Sequence, residues 1–372
     1  MKDKKRVYLN GFTAACAAGV NIEEIFATLL AGKSAITMRE GYIHGSSVPV
    51  GKIPGEDDFY QTLIHNVAAL LTKISTLIPS ETIVLVGSSV GGMCRTERKF
   101  LQKGDLSDFD VEETSIHSLG ETLTRTFGFK SSLSFSTACT SSSMAIDFAY
   151  DLISTGLYRS VVVVGADELS LSAVNGFDCL GIASRENVRP FDTERNGINV
   201  AEGIAVLAFS DASSPECVEL LSCGVSSDAY TITHPHPEGE GAISAMNMAL
   251  ERAGLTSGDI DYINAHGTGT IANDQIEAAA IEKLFGSHPY VVSTKAVTGH
   301  TLGACGALEA AIGAMSILRG TVPPCVNLAT PVNTQIKHPF GATEAEVKYV
   351  LSNAFGFGGG NVSILLGKVS HD

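Results

Sequence analysis

Positive charge is scarce in this chain. Of 372 residues, 25 are lysine or arginine against 40 aspartate or glutamate, a formal net charge of −15. With a pI near 5.1, that balance argues against nucleic acid as a general partner. An acidic partner would need a local basic patch. Charge of either sign is sparse, at 17 %, beside a hydrophobic fraction of 44 %. Together these predict a large buried core under a compact surface. No apolar run reads as approaching the about 18 residues of a transmembrane helix, so no membrane contact is expected. Low-complexity tracts are lacking too. The eight cysteines form no paired framework, which points to reduced thiols in a cytoplasm. Nor does any pair have zinc-site spacing; Cys217 and Cys223 come nearest and lack histidine company, so no metal is expected. The start, Met1-Lys2-Asp3-Lys4-Lys5, is basic, but Val7-Tyr8-Leu9 running into Asn10-Gly11 reads as a strand and not as a signal peptide.

What the chain does have is a set of strand-end turns that carry reactive side chains. The alternating run Ser132-Leu133-Ser134-Phe135-Ser136 predicts a strand, and Met144, Ala145, Phe148, Ala149 and Leu152 recur at helical spacing until Gly156. Cys139 lies on the turn between them. A helix start offers free N–H groups and a positive dipole end, which lower a thiol's pKa and can hold an oxyanion. The usual fate of a cysteine is burial as a structural residue, and Cys139 alone leaves both readings open. Two further segments bear on the choice. His266 follows Tyr262-Ile263 in Asn264-Ala265-His266-Gly267-Thr268-Gly269-Thr270. His300 follows Tyr290-Val291-Val292 in the Thr298-Gly299-His300-Thr301 loop. Two histidines in glycine-rich strand-end loops and a cysteine on an elbow form a set that thiol acyl chemistry can use.

The order strand, glycine turn, strand, helix, strand occurs twice. It runs through Thr82–Ala166 and again through Tyr262–Ser352. Val/Ile runs alternating with helices predict parallel strands covered on both faces. The polar stretch Asp211-Ala212-Ser213-Ser214-Pro215 is the expected junction, giving halves 1–214 and 215–372. The loop Phe355–Asn361 is glycine-rich but is followed by another strand and not a helix, so a dinucleotide site is disfavoured.

The Thr-Ala-Cys turn at 137–139, the His-Gly-Thr-Gly-Thr run at 266–270 and Lys295…Gly299-His300 resemble motifs of the β-ketoacyl-acyl carrier protein synthases, condensing enzymes of the thiolase superfamily. Arg189-Pro190-Phe191-Asp192, Ser226–Tyr230 and Ser352–Gly359 match in the same order. The resemblance implies an α/β thiolase-like fold, two duplicated halves in five αβαβα layers with the site between them. It implies that an acyl group moves from a carrier protein onto Cys139, and that a decarboxylated malonyl unit then attacks it. His266 and His300 would stabilise the enolate, and this Cys-His-His set is that of the elongating branch. Lys295 and Glu309 would support the histidines; Glu309 sits on an otherwise apolar helix and needs a partner. Phe357 would gate the cysteine, with Phe355 and Gly358 in the same mobile loop. The N–H groups of Phe357 and Cys139 would form the first oxyanion hole. Thr268 and Thr270 would hold the phosphopantetheine arm of the acyl carrier protein, and Phe177 would line the acyl pocket. No cofactor of the enzyme's own is implied.

The resemblance also implies a dimer, of two copies or with a related subunit, paired across the short strand before Cys139. Against the family pattern, Val111 to Lys130 lacks the Pro/Met-rich character expected there, Thr231 stands where histidine is common, and Gly360 where threonine is. These departures leave the chemistry intact and point away from housekeeping fatty-acid synthesis, toward polyketide or aryl polyene synthesis. Two other readings compete: a non-catalytic subunit resembling a chain-length factor, and a thioester hydrolase on the same elbow. For docking, Arg95, Arg98, Lys99 and Lys103 lie at spacings that can share one helical face, a candidate basic patch for an acidic carrier protein.

Overall fold

Ten strands carry the fold in the computed structural model, which describes residues 4–55 and 58–369; Met1, Lys2 and Asp3 of the basic start lie outside them. The strands are β1 (Tyr8–Cys16), β2 (Ile83–Gly87), β3 (Ser131–Phe135), β4 (Ser160–Asp167), β5 (Gly203–Ser210), β6 (Val218–Ser227), β7 (Tyr262–Asn264), β8 (Tyr290–Val292), β9 (Tyr349–Phe355) and β10 (Gly360–Lys368). Their spatial order is β8-β7-β9-β10-β6-β1-β5-β4-β2-β3. Taken by halves, the first five strands and the last five follow one order, third-second-fourth-fifth-first. The pairing senses repeat as well. β2 runs parallel to β3 and β4, while β5 is antiparallel to β4 and β1. β7 runs parallel to β8 and β9, while β10 is antiparallel to β9 and β6. The halves meet through β1 and β6, at Tyr8 with Glu219 and Leu9 with Val218. The all-parallel expectation therefore fails for β1, β5, β6 and β10. The physical reason is plainest at β9–β10, where a four-residue turn, Gly356–Gly359, can only reverse the chain.

Among the described residues the layers are filled by α1 (Phe59–Lys73), α2 (Met93–Lys103), α3 (His117–Phe127), α4 (Ser141–Ser154), α5 (Leu171–Cys179), α6 (Glu240–Ala253), α7 (Ile271–Phe285) and α8 (Cys305–Arg319), with a further helix, Ile22–Leu30, against β1 and α8. α1 packs on β1 and β5, and α3 on β2 and β3, covering one outer face. α6 packs on β6, β10 and α7, covering the other. α4 and α8 touch strands of both halves and each other. The result is five layers, helix-sheet-helix-sheet-helix. Separate apolar clusters lie under the two outer helical layers, and the largest surrounds α4 and α8.

The middle layer explains two features of the sequence. Gly87 ends β2 so close to α4 that a Cβ there would lie 2.3 Å from Cα of Ser142. In α8 every residue from Cys305 to Ile317 is buried. Leu302–Arg319 is in fact long and apolar enough to cross a membrane, correcting the expectation that no run approaches that length. With 89 % of it buried inside the protein, its apolarity serves the core between two sheets.

The basic residues do share one helix, and each already has a partner within the chain. In α2, Arg98 pairs with Glu168, Lys99 with Glu113 and Lys103 with Asp108, and Arg95 stacks 3.4 Å over the ring of Tyr60. All four cations are engaged within the chain; Glu168, Glu113 and Tyr60 are too distant in sequence for a local reading, whereas Asp108 is a near neighbour of Lys103. At the end of the sheet, β3 pairs with β2 alone and leaves its other edge open, with Leu133 44 % exposed.

Candidate active site

Cys139 and His266 lie just beyond the C-terminal ends of the parallel strands β3 and β7, and His300 follows β8 after the short helix Lys295–Thr298. The elbow at Cys139 is tightly held. Ala138 adopts φ 53°, a left-handed backbone that a residue with a Cβ adopts only under constraint. Ser141 Oγ and Ser89 Oγ both donate to its carbonyl, at 2.6 and 3.0 Å. α4 starts immediately afterwards.

The three side chains converge. Sγ of Cys139 and one ring nitrogen of each histidine lie within 4.8 Å of one another. Nε2 of His300 is 3.1 Å from Sγ. The two imidazoles stand edge to face, with centroids 5.4 Å apart. Lys295 and Glu309 form a buried ion pair behind them, and Nζ of Lys295 is 3.5 Å from Nδ1 of His266. An ammonium beside Nδ1 makes that nitrogen an acceptor and leaves Nε2 of His266 carrying its proton. A divalent cation on the same three atoms would meet that fixed positive charge.

Burial sets the protonation states. It pushes the Cys139 thiol up to about 11, against Lys295 and the backbone N–H groups of Phe357 and Cys139, which favour the thiolate. The expected low-pKa thiol is thus corrected: desolvation of a side chain only 8 % exposed outweighs the helix start. Burial, with Lys295 adding to it, holds both histidines well below their ordinary value, as neutral imidazoles. Burial also lowers the affinity of Lys295 for its proton, but Glu309, Cys305 and Glu277 more than offset this and hold the ammonium charged. A neutral thiol 3.1 Å from a neutral imidazole is arranged for proton transfer as the sulfur attacks, not for a standing thiolate.

A cavity of about 400 Å³ opens onto all three residues. Phe357 stands in its wall with its ring 5.9 Å from that of Phe177. Phe355 lies 6.0 Å from the His266 ring. Gly358 and Gly359 take φ 87° and 80°, which a residue with a Cβ rarely adopts, and the N–H of Gly358 donates to Ile232 O at 2.8 Å. Thr268 and Thr270 face the cavity 3.0 Å apart, and Thr270 also caps α7. The wall beyond Thr231 carries His234.

Two family models divide the chain. The beta-ketoacyl synthase N-terminal domain matches residues 57–213 and the beta-ketoacyl synthase C-terminal domain residues 217–329. The chain belongs to the beta-ketoacyl synthases. A 3-oxoacyl-[acyl-carrier-protein] synthase 2 of Coxiella burnetii is 31 % identical over 99 % of this chain and 99 % of its own length. One from Rhizobium meliloti is 40 % identical over 62 % of this chain and 59 % of its own. Among solved structures, a beta-ketoacyl synthase from Burkholderia phymatum superposes with a TM-score of 0.90 at 29 % identity, over 98 % of this chain and 100 % of that one. A ketosynthase solved with its chain length factor, from Xenorhabdus doucetiae, gives 0.87 at 31 %, over 98 % of each. The fold is the thiolase-like α/β fold of these synthases.

Two buried carboxylates of this synthase escape a reading by motif. Asp167, at the end of β4, accepts from Ser88 Oγ and the N–H groups of Ser89 and Val90 in one half, and from Gly303 N at 2.6 Å in the other. It thereby ties the loop behind Cys139 to the loop that carries His300. Glu277, in α7, accepts from the N–H groups of His266 and Gly267, both at 2.8 Å, and fixes the His266 loop. Burial raises Asp167 to about 6 and Glu277 to about 7 against these donors. The available signal is an acid next to an apolar strand, Val161–Ala166, and one followed directly by Ala278, Ala279 and Ala280 in a helix.

Proposed function

We propose that the chain is an elongating 3-oxoacyl-[acyl-carrier-protein] synthase, and the observation that carries this is the convergence of Cys139, His266 and His300 within 4.8 Å at the end of one cavity. In the first stage Sγ of Cys139 attacks the thioester carbonyl of an acyl group on a carrier's phosphopantetheine. Its proton passes toward Nε2 of His300 and on to the departing pantetheine thiolate. The N–H groups of Cys139 and Phe357, both directed at the sulfur, are placed to hold the oxyanion. In the second stage a malonyl-carrier thioester loses carbon dioxide. The electron pair left behind becomes an enolate, which the Nε2–H of His266 stabilises, joined by His300 in the tautomer that carries its proton on Nε2 once Sγ is acylated and no longer offers one. Its carbon attacks the Cys139 thioester, Sγ leaves as a thiolate and takes up a proton from water, and the chain is longer by two carbons. Lys295, paired with Glu309, keeps His266 in the donor tautomer. Thr268 and Thr270 face the cavity where the arm would lie, and Phe177 and Phe357 would meet the acyl chain. No cofactor of the enzyme's own enters these steps, and eight free thiols fit a reducing cytoplasm.

Mass spectrometry after incubation with an acyl-carrier protein tests the reading. The expected result is an adduct on Cys139 that persists until malonyl-carrier protein is added and then leaves as an elongated product. Absence of an adduct would favour a subunit resembling a chain length factor. Rapid loss to water would favour a hydrolase.

The open edge of β3 supports a dimer, since an unpaired strand with an exposed leucine invites pairing. Two solved relatives are described as ketosynthases with a chain length factor, so the partner is either a second copy or a related subunit. Light scattering of the pure protein should give twice the monomer mass. A monomer that is fully active when dilute would exclude both.

A further inference from the structure

One acid stands among the cations of α2, and it faces another helix. Glu97 accepts from Ser170 Oγ at 2.7 Å and from the N–H groups of Leu171 and Ser172 at 2.9 and 2.8 Å. Ser170 is the N-cap of α5, where its Oγ accepts in turn from Ala173 N at 3.1 Å. Glu97 thus satisfies donors that the first turn of α5 cannot satisfy itself, and sets a negative charge at the positive end of its dipole. The segment before α5 is tied to α2 as well: Cys94 Sγ donates to Glu168 O at 3.7 Å, and Arg98 pairs with the Glu168 carboxylate. Packing does little to hold α5, since Val174 is the one buried residue of its nine. Asn175 adds a bond to Tyr42 O at 2.6 Å. Two turns beyond the cap, α5 carries Phe177 into the cavity wall, its ring 5.9 Å from that of Phe357. Glu97 itself lies outside that wall.

We propose that Glu97 is a positioning residue for chain length: anchoring α5 from α2, it holds Phe177 where the ring limits the acyl group that Cys139 can take. A carboxylate bonded to three donors at the first turn fixes the direction of a short helix, and a ring two turns along moves with that direction. With the anchor gone, Phe177 gives way before a long chain. A chain too short to press on the ring meets an unchanged site. The inference rests on the condensing reading given above.

The test follows acylation of Cys139 by mass spectrometry, with acetyl and dodecanoyl thioesters of pantetheine as the two donors. In Glu97→Ala the rate ratio, dodecanoyl over acetyl, should rise about tenfold, while the acetyl rate changes by less than about twofold. Glu97→Gln should stay near the parent ratio, because a single carbonyl oxygen in the place of Oε1 still accepts from Ser170 Oγ and Ser172 N. Phe177→Ala should raise the ratio too, and adding Glu97→Ala to it should raise it no further, since the anchor acts through the ring. Equal changes with both donors would reduce Glu97 to a support of the fold. A glutamine variant that behaves like the alanine variant, or additive effects in the double variant, would also overturn the role. Should Glu97→Ala fail to fold by circular dichroism, Ser170→Ala removes the hydroxyl contact and should give a smaller rise; an unchanged ratio there would overturn the proposal equally. If the parent takes up neither acyl group on Cys139, the condensing reading falls and takes the role of Glu97 with it. Uptake of acetyl by the parent leaves only Glu97 at issue.

Discussion

Cys139→Ala is expected to form no acyl adduct and to lose condensation by at least about 10⁴-fold, because no second nucleophile shares the site. The nearest other thiol, Cys305, points away: its Sγ donates to the carbonyl of Cys139 at 3.2 Å. Burial with Glu309 close by holds its pKa well above the ordinary value. Losing one sulfur from a turn already held by Ser89 and Ser141 should leave the circular dichroism spectrum unchanged. The parent thiol also has a signature. With its pKa pushed up to about 11, thiolate at neutral pH is a small fraction and grows as pH rises. Alkylation of Cys139 by iodoacetamide should therefore keep accelerating beyond pH 9 and vanish in the alanine variant. A rate that levels off below pH 7, or an acyl adduct found on another cysteine, would be incompatible with this assignment.

The two histidines should fail differently. His266→Ala should still take up an acyl group on Cys139 at near the parent rate, yet release carbon dioxide from malonyl-carrier protein about 100- to 1000-fold more slowly. It sits beside Lys295, with Nδ1 facing the ammonium 3.5 Å away, and no contact to Sγ comparable to that of His300 is seen. His300→Ala should slow both stages, since Nε2 lies 3.1 Å from Sγ as well as beside the second imidazole. This departs from the sequence expectation that both histidines serve decarboxylation more than acyl transfer and that His300→Ala still acylates Cys139; the 3.1 Å contact of His300 with Sγ is the reason. Separate assays of adduct formation and of labelled carbon dioxide would resolve the two. Equal acylation rates in both variants would assign His300 to decarboxylation alone, and a change of only a few-fold in carbon dioxide release would remove His266 from the enolate.

The sequence is most informative where function depends on neighbours in the chain. The elbow at Cys139 and the loops at His266 and His300 are local: strand, turn and helix signals lie within a dozen residues. Glu309 could be singled out because an acid in an apolar helix demands a partner, and Lys295 fills that place in the structure. What stayed hidden depends on contacts across the chain. Asp167 draws its donors from residues 88–90 and 303, and nothing in Val161–Asp167 names them. Arg98 and Lys99 look free in α2 because Glu168 and Glu113 lie 70 and 14 positions away. The thiol's pKa escapes a sequence reading for the same reason: a helix start is visible in sequence, whereas the depth of burial that outweighs it is set by both halves together.

The repeated strand order gives Cys139 and His300 a shared address. Each follows the third strand of its own five-strand set, and each precedes the helix that enters the middle layer. The nucleophile and the imidazole beside it are thus supplied at matching addresses by two unlike halves, and neither half alone carries both.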